Sequence, residues 1–386
     1  MLPKLKYYLT NWIDGMKINR QHFLDSENAI IDQIRDVSAY TLNTTNYGLL
    51  QPLQGEKTSL DCTVLTTNSN TSKINVSYCR AVTSGGCRIE IIPGLHPELI
   101  SDNDVFTDIN NLDNTSNTSY YAVISVNPFD RQPFGTAMTE EYPPRNQYSI
   151  STYKLSLVPE SSLNAPSIGP YHLPVAKFSF KSDKLTRDTN YIPPCAIVGA
   201  HPGTKEIYNT IAERLNSLQE NSFQIIHKVI ENDQNTTLAL NMKNICTKSM
   251  EHISSEFFSF RTIYRQQSPV YIANSVIKLA NIISLSLGLM SAREKEELLQ
   301  YFSYWIEISP GKFEELLTTV VNADYEHENI HTFFQPLLAF LKIWNDLLDK
   351  LKDLKLIGQK NEKFDFGGRT METPKDKGKG KFNILE

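Results

Sequence analysis

The sequence changes character at residues 191–202, YIPPCAIVGAHP. Before this stretch, short runs of β-branched and aromatic residues alternate with clusters of Asn, Gly, Pro and Ser, which is typical of antiparallel strands. After it, apolar residues recur at helical spacing with few Gly or Pro residues. Because Pro193 and Pro194 remove two backbone donors and favour an extended path, residues 191–202 are predicted to be a rigid linker between a β part and an α part.

The pattern of the β part, residues 47–190, is typical of an antiparallel sandwich or barrel, and a β-sandwich is predicted. A polar stretch at residues 110–119, rich in Asn, Ser and Thr, is expected to be a mobile surface loop. The predicted strands cover residues 73–80, 87–92, 120–126, 149–158 and 175–180.

The α part is predicted to be an antiparallel helical bundle over residues 203–357. Pro269 and Pro310 stand where a first helical turn tolerates a missing N–H, and the preceding Ser268 and Ser309 are expected to cap. The predicted helices cover residues 204–232, 236–264, 269–290, 292–306, 310–321 and 329–356.

Neither the N-terminus nor the most apolar helix indicates membrane insertion. The first residues lack the apolar core of a signal peptide. Residues 270–290 are interrupted by Asn274, Lys278 and Asn281, whose burial in lipid would be costly, so they are interpreted as a bundle helix.

The two ends of the chain are assigned to neither part. Residues 1–46 are predicted to form an N-terminal segment with a helix at 24–37 that packs on the sandwich. Residues 358–386 are charged and poor in apolar groups, so they are predicted to be a disordered tail. Within this tail, Phe364 and Phe366 are candidate docking residues.

Composition limits the function classes. The 386 residues are 40% apolar and 21% charged, with a net charge of −5, which gives no broad attraction to nucleic acid. Five cysteines without a CxxC pair indicate reduced thiols in a cytoplasmic protein. Cys79 and Cys87 supply too few ligands for a closed zinc site, so no metal is expected there.

One string resembles an enzyme motif. Residues 327–331, HENIH, match HExxH, in which His327 and His331 would bind zinc and Glu328 would act as a base. The motif lies at a polar helix start, and Phe334 stands where the extended motif has Gly; Asp346 or Asp349 could supply a third ligand. A solvated helical turn is favoured over a zinc hydrolase, which stays as an alternative.

Apart from HExxH, the sequence contains none of the common enzyme signatures. The sequence has no GxSxG elbow, Walker A loop or dinucleotide-binding GxGxxG. We therefore expect a protein that is not an enzyme, with no catalytic, cofactor-binding or metal-binding residues.

The N-terminal stretch 11–23, NWIDGMKINRQHF, resembles the signature of the TssK family of type VI secretion baseplate proteins. A buried core role is favoured for the two large aromatic residues of this signature over direct partner contact. Gly15 suits a tight turn. The matching residues are Trp12, Asp14, Gly15, Gln21, His22 and Phe23.

The junction stretch carries a second match. It is similar to the family's Ile-Pro-Pro-Cys segment, and residues 173–178 and 268–271 also resemble family segments. The thiol of this motif is interpreted as a small buried apolar group. The junction residues are Ile192, Pro193, Pro194 and Cys195.

The resemblance implies a fold and a set of partners. It implies a sandwich similar to the shoulder of phage receptor-binding proteins, a homotrimer, and binding to TssF-like and TssG-like wedge proteins. It places the protein in the cytoplasm at the inner membrane, connected to a membrane-side anchor of unknown identity, although the family's usual C-terminal β domain is expected to be missing. A phage-like or extracellular contractile-tail adaptor is the alternative.

Overall fold

A computed structural model describes residues 5–66, 72–101, 119–163, 169–181 and 184–359. The protein is α+β, with two antiparallel sheets and seven α-helices among these residues. Most of the expected loop at 110–119, and both Phe364 and Phe366, lie outside the described residues.

The strands occupy the first half of the chain and the helices, apart from the first, occupy the second. The helices are α1 Arg20–Ala39, α2 Pro202–Glu231, α3 Thr237–Thr262, α4 Val270–Gly288, α5 Ala292–Trp305, α6 Pro310–Val321 and α7 Ile330–Lys352. The strands are β1 Gly48–Leu49, β2 Leu60–Thr66, β3 Ser72–Val82, β4 Arg88–Ile91, β5 Leu99–Ile100, β6 Ser119–Met138, β7 Arg145–Pro159, β8 His172–Lys181 and β9 Lys184–Arg187.

The first sheet is organised around β3, which pairs with β1, β2, β4 and β5. The register with β2 places Leu60 opposite Cys79 and shifts by one residue at a bulge between Asp61 and Cys62. Ile74 and Val76 lie on the same face of β3 and are fully buried, and Asn75 between them is also buried, so both faces of the strand are covered at this point.

The second sheet has the order β7-β6-β8-β9. Strand β6 is much longer than the predicted strand 120–126, because it continues through residues 127–138 despite Pro128 and Gly135. Two register shifts against β7, between Asn127 and Arg131 and between Phe134 and Ala137, accommodate these residues. Bulges of this kind allow a strand to carry Pro and Gly without ending.

The six predicted helices of the α part are confirmed, with ends that differ by at most a few residues. Ser309 caps α6 as expected, since its side chain accepts a hydrogen bond from the Lys312 amide. The expectation that Ser268 caps α4 is wrong. Its hydroxyl instead donates to the Thr45 carbonyl and so ties α4 to the segment before β1.

The apolar core is continuous from the sheets into the helices. One cluster of buried residues includes Ile74 and Phe178 of the sheets, Cys195 of the junction, and Ile211 and Trp344 of the helices. Within the described residues, α4 alone is long and apolar enough to cross a membrane, and half of its most apolar window is buried inside the protein. A core helix of a globular protein, buried on the side that packs on its neighbours, has this same length and apolar composition.

Candidate functional site

The N-terminal arm, residues 5–19, leads into α1 through a turn and a helix cap. Gly15 has a φ of 79°, so the expected tight turn lies where glycine is favoured. The Asn19 side chain accepts hydrogen bonds from the amides of Gln21 (2.9 Å) and His22 (3.3 Å). The ring of His22 accepts in return from the Asn19 amide, which completes a capping box. This part of the signature therefore starts a helix.

The two large aromatic residues of the signature are not buried. Trp12 is 50% exposed and Phe23 is 55% exposed, and their ring centroids lie 6.1 Å apart. The expected core role is wrong for the chain by itself, because about half of each side chain is exposed; the ring centroid of Trp12 also lies 6.0 Å from that of His22. They form a half-covered aromatic pair on the surface.

A buried ion pair fastens the arm to the sheets. The Asp32 carboxylate accepts hydrogen bonds from the amides of Lys6 (2.6 Å) and Tyr7 (3.0 Å). Its other oxygen accepts from Arg35 at 2.8 Å, and the Arg35 Nε donates to the Gly85 carbonyl at 3.2 Å. Both charged side chains are almost fully buried. Sequence reasoning missed this pair, since a charged pair three residues apart on a helix usually lies on its solvated face.

Helix α1 consequently packs with its polar side inward. Its buried residues are Asn28, Ala29, Asp32 and Arg35. The α1 stripe, which consists of Ile30, Ile34 and Val37 at spacings of four and three residues, is exposed. The arm adds exposed Tyr8, Leu9, Ile13 and Ile18 to the chain's apolar surface. Within the described residues, the apolar residues of this stripe and of the arm are therefore left largely uncovered by the chain itself.

The junction motif is built into the first sheet. The Leu49 amide donates to the Pro194 carbonyl (2.8 Å), and the Ala196 amide donates to the Leu49 carbonyl (2.9 Å). Ile192 and Cys195 are buried, and burial raises the pKa of the Cys195 thiol well above its usual range. Gly48 lies so close that an added Cβ would stand 2.0 Å from the Pro194 carbonyl oxygen. Pro194 and Ala196 therefore pair with β1.

All five cysteines are buried and free. Among the described residues, no group of three or more His, Cys, Asp or Glu side chains could hold a metal ion.

The HExxH residues lie beside Tyr47, the residue before β1, and their geometry differs from the expected solvated turn. His327 and Glu328 belong to a short 3-10 turn, His327–Asn329, whereas His331 lies in α7. His327 is only 5% exposed. The expectation of a solvated turn is therefore wrong for His327.

Both ring nitrogens of His327 are occupied by the protein. Nε2 lies 2.8 Å from the Tyr47 carbonyl, and Nδ1 lies 3.0 Å from the Tyr325 hydroxyl. Because a carbonyl can only accept, Nε2 carries the proton and Nδ1 accepts from the tyrosine. Burial lowers the pKa of His327 to about 4, so the ring is neutral at pH 7. Neither nitrogen is available to a metal.

The other motif residues serve separate contacts. The Tyr47 hydroxyl donates to Glu328 at 2.9 Å, and burial together with this carboxylate raises the pKa of Tyr47. The His331 ring lies 3.1 Å from the Gln335 side-chain amide, its one hydrogen bond within the described part of the chain. The string is therefore a structural connection between β1 and the start of α7.

Comparison with known proteins gives a structural match without a sequence match. No family model matches the sequence, and no curated protein matches it. A crystal structure of TssK is similar with a TM-score of 0.53 and 16% identity, over 87% of this chain and 68% of that one. A chain of the baseplate complex from the type VI secretion system is similar with a TM-score of 0.50 and 15% identity, over 89% of this chain and 100% of that one.

A third solved structure is a chain of the TssK-TssF-TssG baseplate subcomplex of the type VI secretion system. Its TM-score is 0.47 at 16% identity, and the match covers 90% of this chain and 100% of that one. The crystal structure of TssK and the chain of the baseplate complex match 87% and 89% of this chain, so the matched region extends through both the β part and the α part.

Proposed function

Because this chain has the fold of TssK, we propose that it is a structural, non-enzymatic subunit of a type VI secretion baseplate. The observation that carries this proposal is the TM-score of 0.53 with a crystal structure of TssK over 87% of the chain. The likeness to a chain of the baseplate complex supports it. Both ring nitrogens of His327 form hydrogen bonds within the chain. This supports the proposal that the protein is not an enzyme, since a zinc hydrolase would need one of these nitrogens as a metal ligand.

We further propose an arrangement of domains. Residues 47–190 form a sandwich from the two sheets, residues 203–357 form an antiparallel bundle of α2 to α7, and residues 191–202 join them. Residues 1–46 lie on the sandwich. Of the predicted tail at residues 358–386, residues 360–386 lie outside the described residues. The hydrogen bonds of the arm to Asp32 and of α1 to Gly85 support the placement of the N-terminal segment.

The partners follow from the same proposal. We infer that the protein is a homotrimer, that it binds TssF-like and TssG-like wedge proteins, and that it works in the cytoplasm at the inner membrane beside a membrane-side anchor. The exposed α1 stripe and the aromatic pair of Trp12 and Phe23 support contact with neighbouring subunits, because burying them removes apolar area from water. Phe364 and Phe366 are proposed as contacts to the anchor.

Affinity purification of the tagged chain from its native cell, combined with light scattering of the purified particle, tests the proposal. We expect two wedge proteins, identified by mass spectrometry, to co-purify with the chain. Freed from them, the chain should have three times its 43.9 kDa mass in light scattering. Monomer without baseplate proteins would contradict the proposal. Deletion of residues 359–386 should release the anchor and leave the wedge proteins bound.

The α1 stripe provides a variant with a matched control. Replacing Ile30 and Ile34 with Asp should remove at least one neighbour from the purified particle, because two carboxylates would have to be desolvated in the contact. Replacing the same two residues with Met keeps the apolar area and should keep the neighbour. Unchanged helical circular dichroism in both variants shows that the fold persists. Equal recovery of all partners with both variants would remove the stripe from the proposal.

A further inference from the structure

Helix α1 carries a heptad pattern on the side that faces away from the chain. The residues of this pattern recur at alternating spacings of four and three, which places them along one line of the helix and is the a/d pattern of a coiled coil. They are called the α1 seam and consist of Phe23, Glu27, Ile30, Ile34 and Val37. Glu27 and Ile34 take the a positions, and the other three residues take the d positions.

The buried side of α1 lies directly opposite the α1 seam. The four buried residues of the helix take the b, c and f positions of the same heptad. They are Asn28, Ala29, Asp32 and Arg35. The four apolar residues of the seam are exposed by between 49%, for Ile30, and 70%, for Val37. The fastening of α1 to the sheets therefore presents the whole seam outward.

The charges on and beside the α1 seam allow identical helices to come together. The e and g positions that flank it are uncharged, so copies of one helix do not repel each other there. They hold Leu24, Ser26, Ile31, Gln33 and Ser38. The one charged seam residue, Glu27, is neutralised within each chain by Arg131 of β6, whose Nη2 also donates to the Asn28 side chain at 2.8 Å. A single polar a position costs stability but fixes the register of a coiled coil.

The exposed apolar area is close to what a stable contact needs. Trp12, which packs on Phe23, and Tyr40, which follows the last residue of α1, extend the seam at its two ends. With the four apolar seam residues they are 49% to 85% exposed, which leaves on the order of 700 Å² of each copy open to water. A stable interface covers about 800 Å² on each partner. The α1 seam can therefore form the centre of such an interface.

We propose that the α1 seam is the contact between three copies of this chain, whose α1 helices run parallel around a three-fold axis. Isoleucine at both a and d positions favours three or more strands over two. Ile34 and Ile30 are the a and d residues at the centre of the seam. Three-fold symmetry brings each seam residue beside the same residue of the other copies. This contact rests on the proposed homotrimer and specifies the surface that forms it.

Disulfide trapping in the full chain, purified free of wedge proteins, tests the proposal. Ile30→Cys and Ile34→Cys each place one thiol on the seam, and Glu297→Cys places one on the exposed surface of α5 as a control. The five native cysteines are buried. After mild oxidation we expect both seam variants to form disulfide-linked pairs that contain about two thirds of the chains, because one thiol in every three is left without a partner. Glu297→Cys should stay unlinked at the same protein concentration.

A mixture of two variants tests the direction of the helices. Positions 23 and 37 lie about 21 Å apart along a helix, since each residue rises 1.5 Å. In parallel helices Phe23→Cys and Val37→Cys chains should therefore form no mixed disulfide, whereas antiparallel helices would bring these two positions together.

Three results would overturn the proposal. The first is a mixed disulfide between positions 23 and 37. The second is linkage of nearly all chains, which a two-fold dimer gives. The third is linkage of the seam variants no greater than that of Glu297→Cys; if light scattering still gives three times the mass of the chain, the homotrimer stands and the seam belongs to another partner, such as a wedge protein. Because trapping uses the chain without wedge proteins, its outcome is separate from the co-purification that tests the baseplate proposal.

Discussion

The buried histidine at the junction predicts how stability depends on pH. His327 is held neutral between the Tyr47 carbonyl and the Tyr325 hydroxyl, with Glu328 nearby on the same turn. A charged ring would lose the hydrogen bond that Nδ1 accepts and would have to be desolvated. We therefore expect acid to weaken the folded state through this residue, and His327→Gln to remove that part of the weakening.

The magnitude follows from the two pKa values of the ring. In the unfolded chain the ordinary value is 6.5, and in the folded chain burial lowers the pKa to about 4. Above pH 6.5 neither state binds the proton, so the contribution is constant. As pH falls from 6.5 to 4 only the unfolded chain binds it, and stability is lost. Over this window the loss is about 3 kcal/mol, since one pKa unit corresponds to about 1.4 kcal/mol.

Urea unfolding followed by circular dichroism at pH 7 and pH 4.5 measures this loss. The native chain should lose about 2 kcal/mol more than His327→Gln between these two conditions. His201, whose pKa burial also lowers to about 4, contributes to both chains and cancels. His331→Gln is the control and should behave as the native chain. If the native chain and His327→Gln lost stability equally, the buried neutral ring would be refuted.

Three further predictions concern the junction, the arm and the motif. Gly48→Ala should lower the free energy of unfolding by about 3 kcal/mol in thermal melts, because its φ is 102° and its Cβ would meet the Pro194 carbonyl; Gly55→Ala, with a φ of 95° and open space, should cost only about 1 kcal/mol. Asp32→Ala should speed hydrogen exchange at the Lys6 and Tyr7 amides and cost about 3 kcal/mol, whereas Asp25→Ala should do neither. Elemental analysis should find no stoichiometric zinc, and EDTA should leave the melting temperature unchanged; one zinc per chain that disappears in His327→Gln would restore the hydrolase hypothesis.

Much of the α part could be predicted because its signal is local. The apolar period of 3.6 residues and cap residues such as Ser309 place the helices to within a few residues. The long strand β6 could not be placed, because the bulges that accommodate Pro128 and Gly135 depend on pairing with β7. Pairing between distant segments leaves little trace in either segment alone.

The candidate site was predicted in part. The arm's glycine turn could be read from its own residues, but the inward side of α1 could not. The sequence predicts a helix at 24–37 that packs on the sandwich, but not which side of it faces inward. An apolar stripe usually faces the core, whereas here the buried Asp32–Arg35 pair does so and Ile30 and Ile34 face outward. The HExxH string suggested a metal site or a solvated turn. Its histidine is instead hydrogen-bonded to Tyr47, which lies 280 residues away in sequence, so the local pattern could not reveal the contact.

The outward face of α1 has a consequence for the life of the protein in the cell. Chaperones and proteases identify damaged chains by apolar side chains that should be covered. Under the proposed assembly, a newly made copy with its α1 stripe uncovered carries this same mark until a neighbouring subunit covers the stripe. Survival of the copy is therefore coupled to its assembly, and an excess of this subunit over its neighbours should be short-lived.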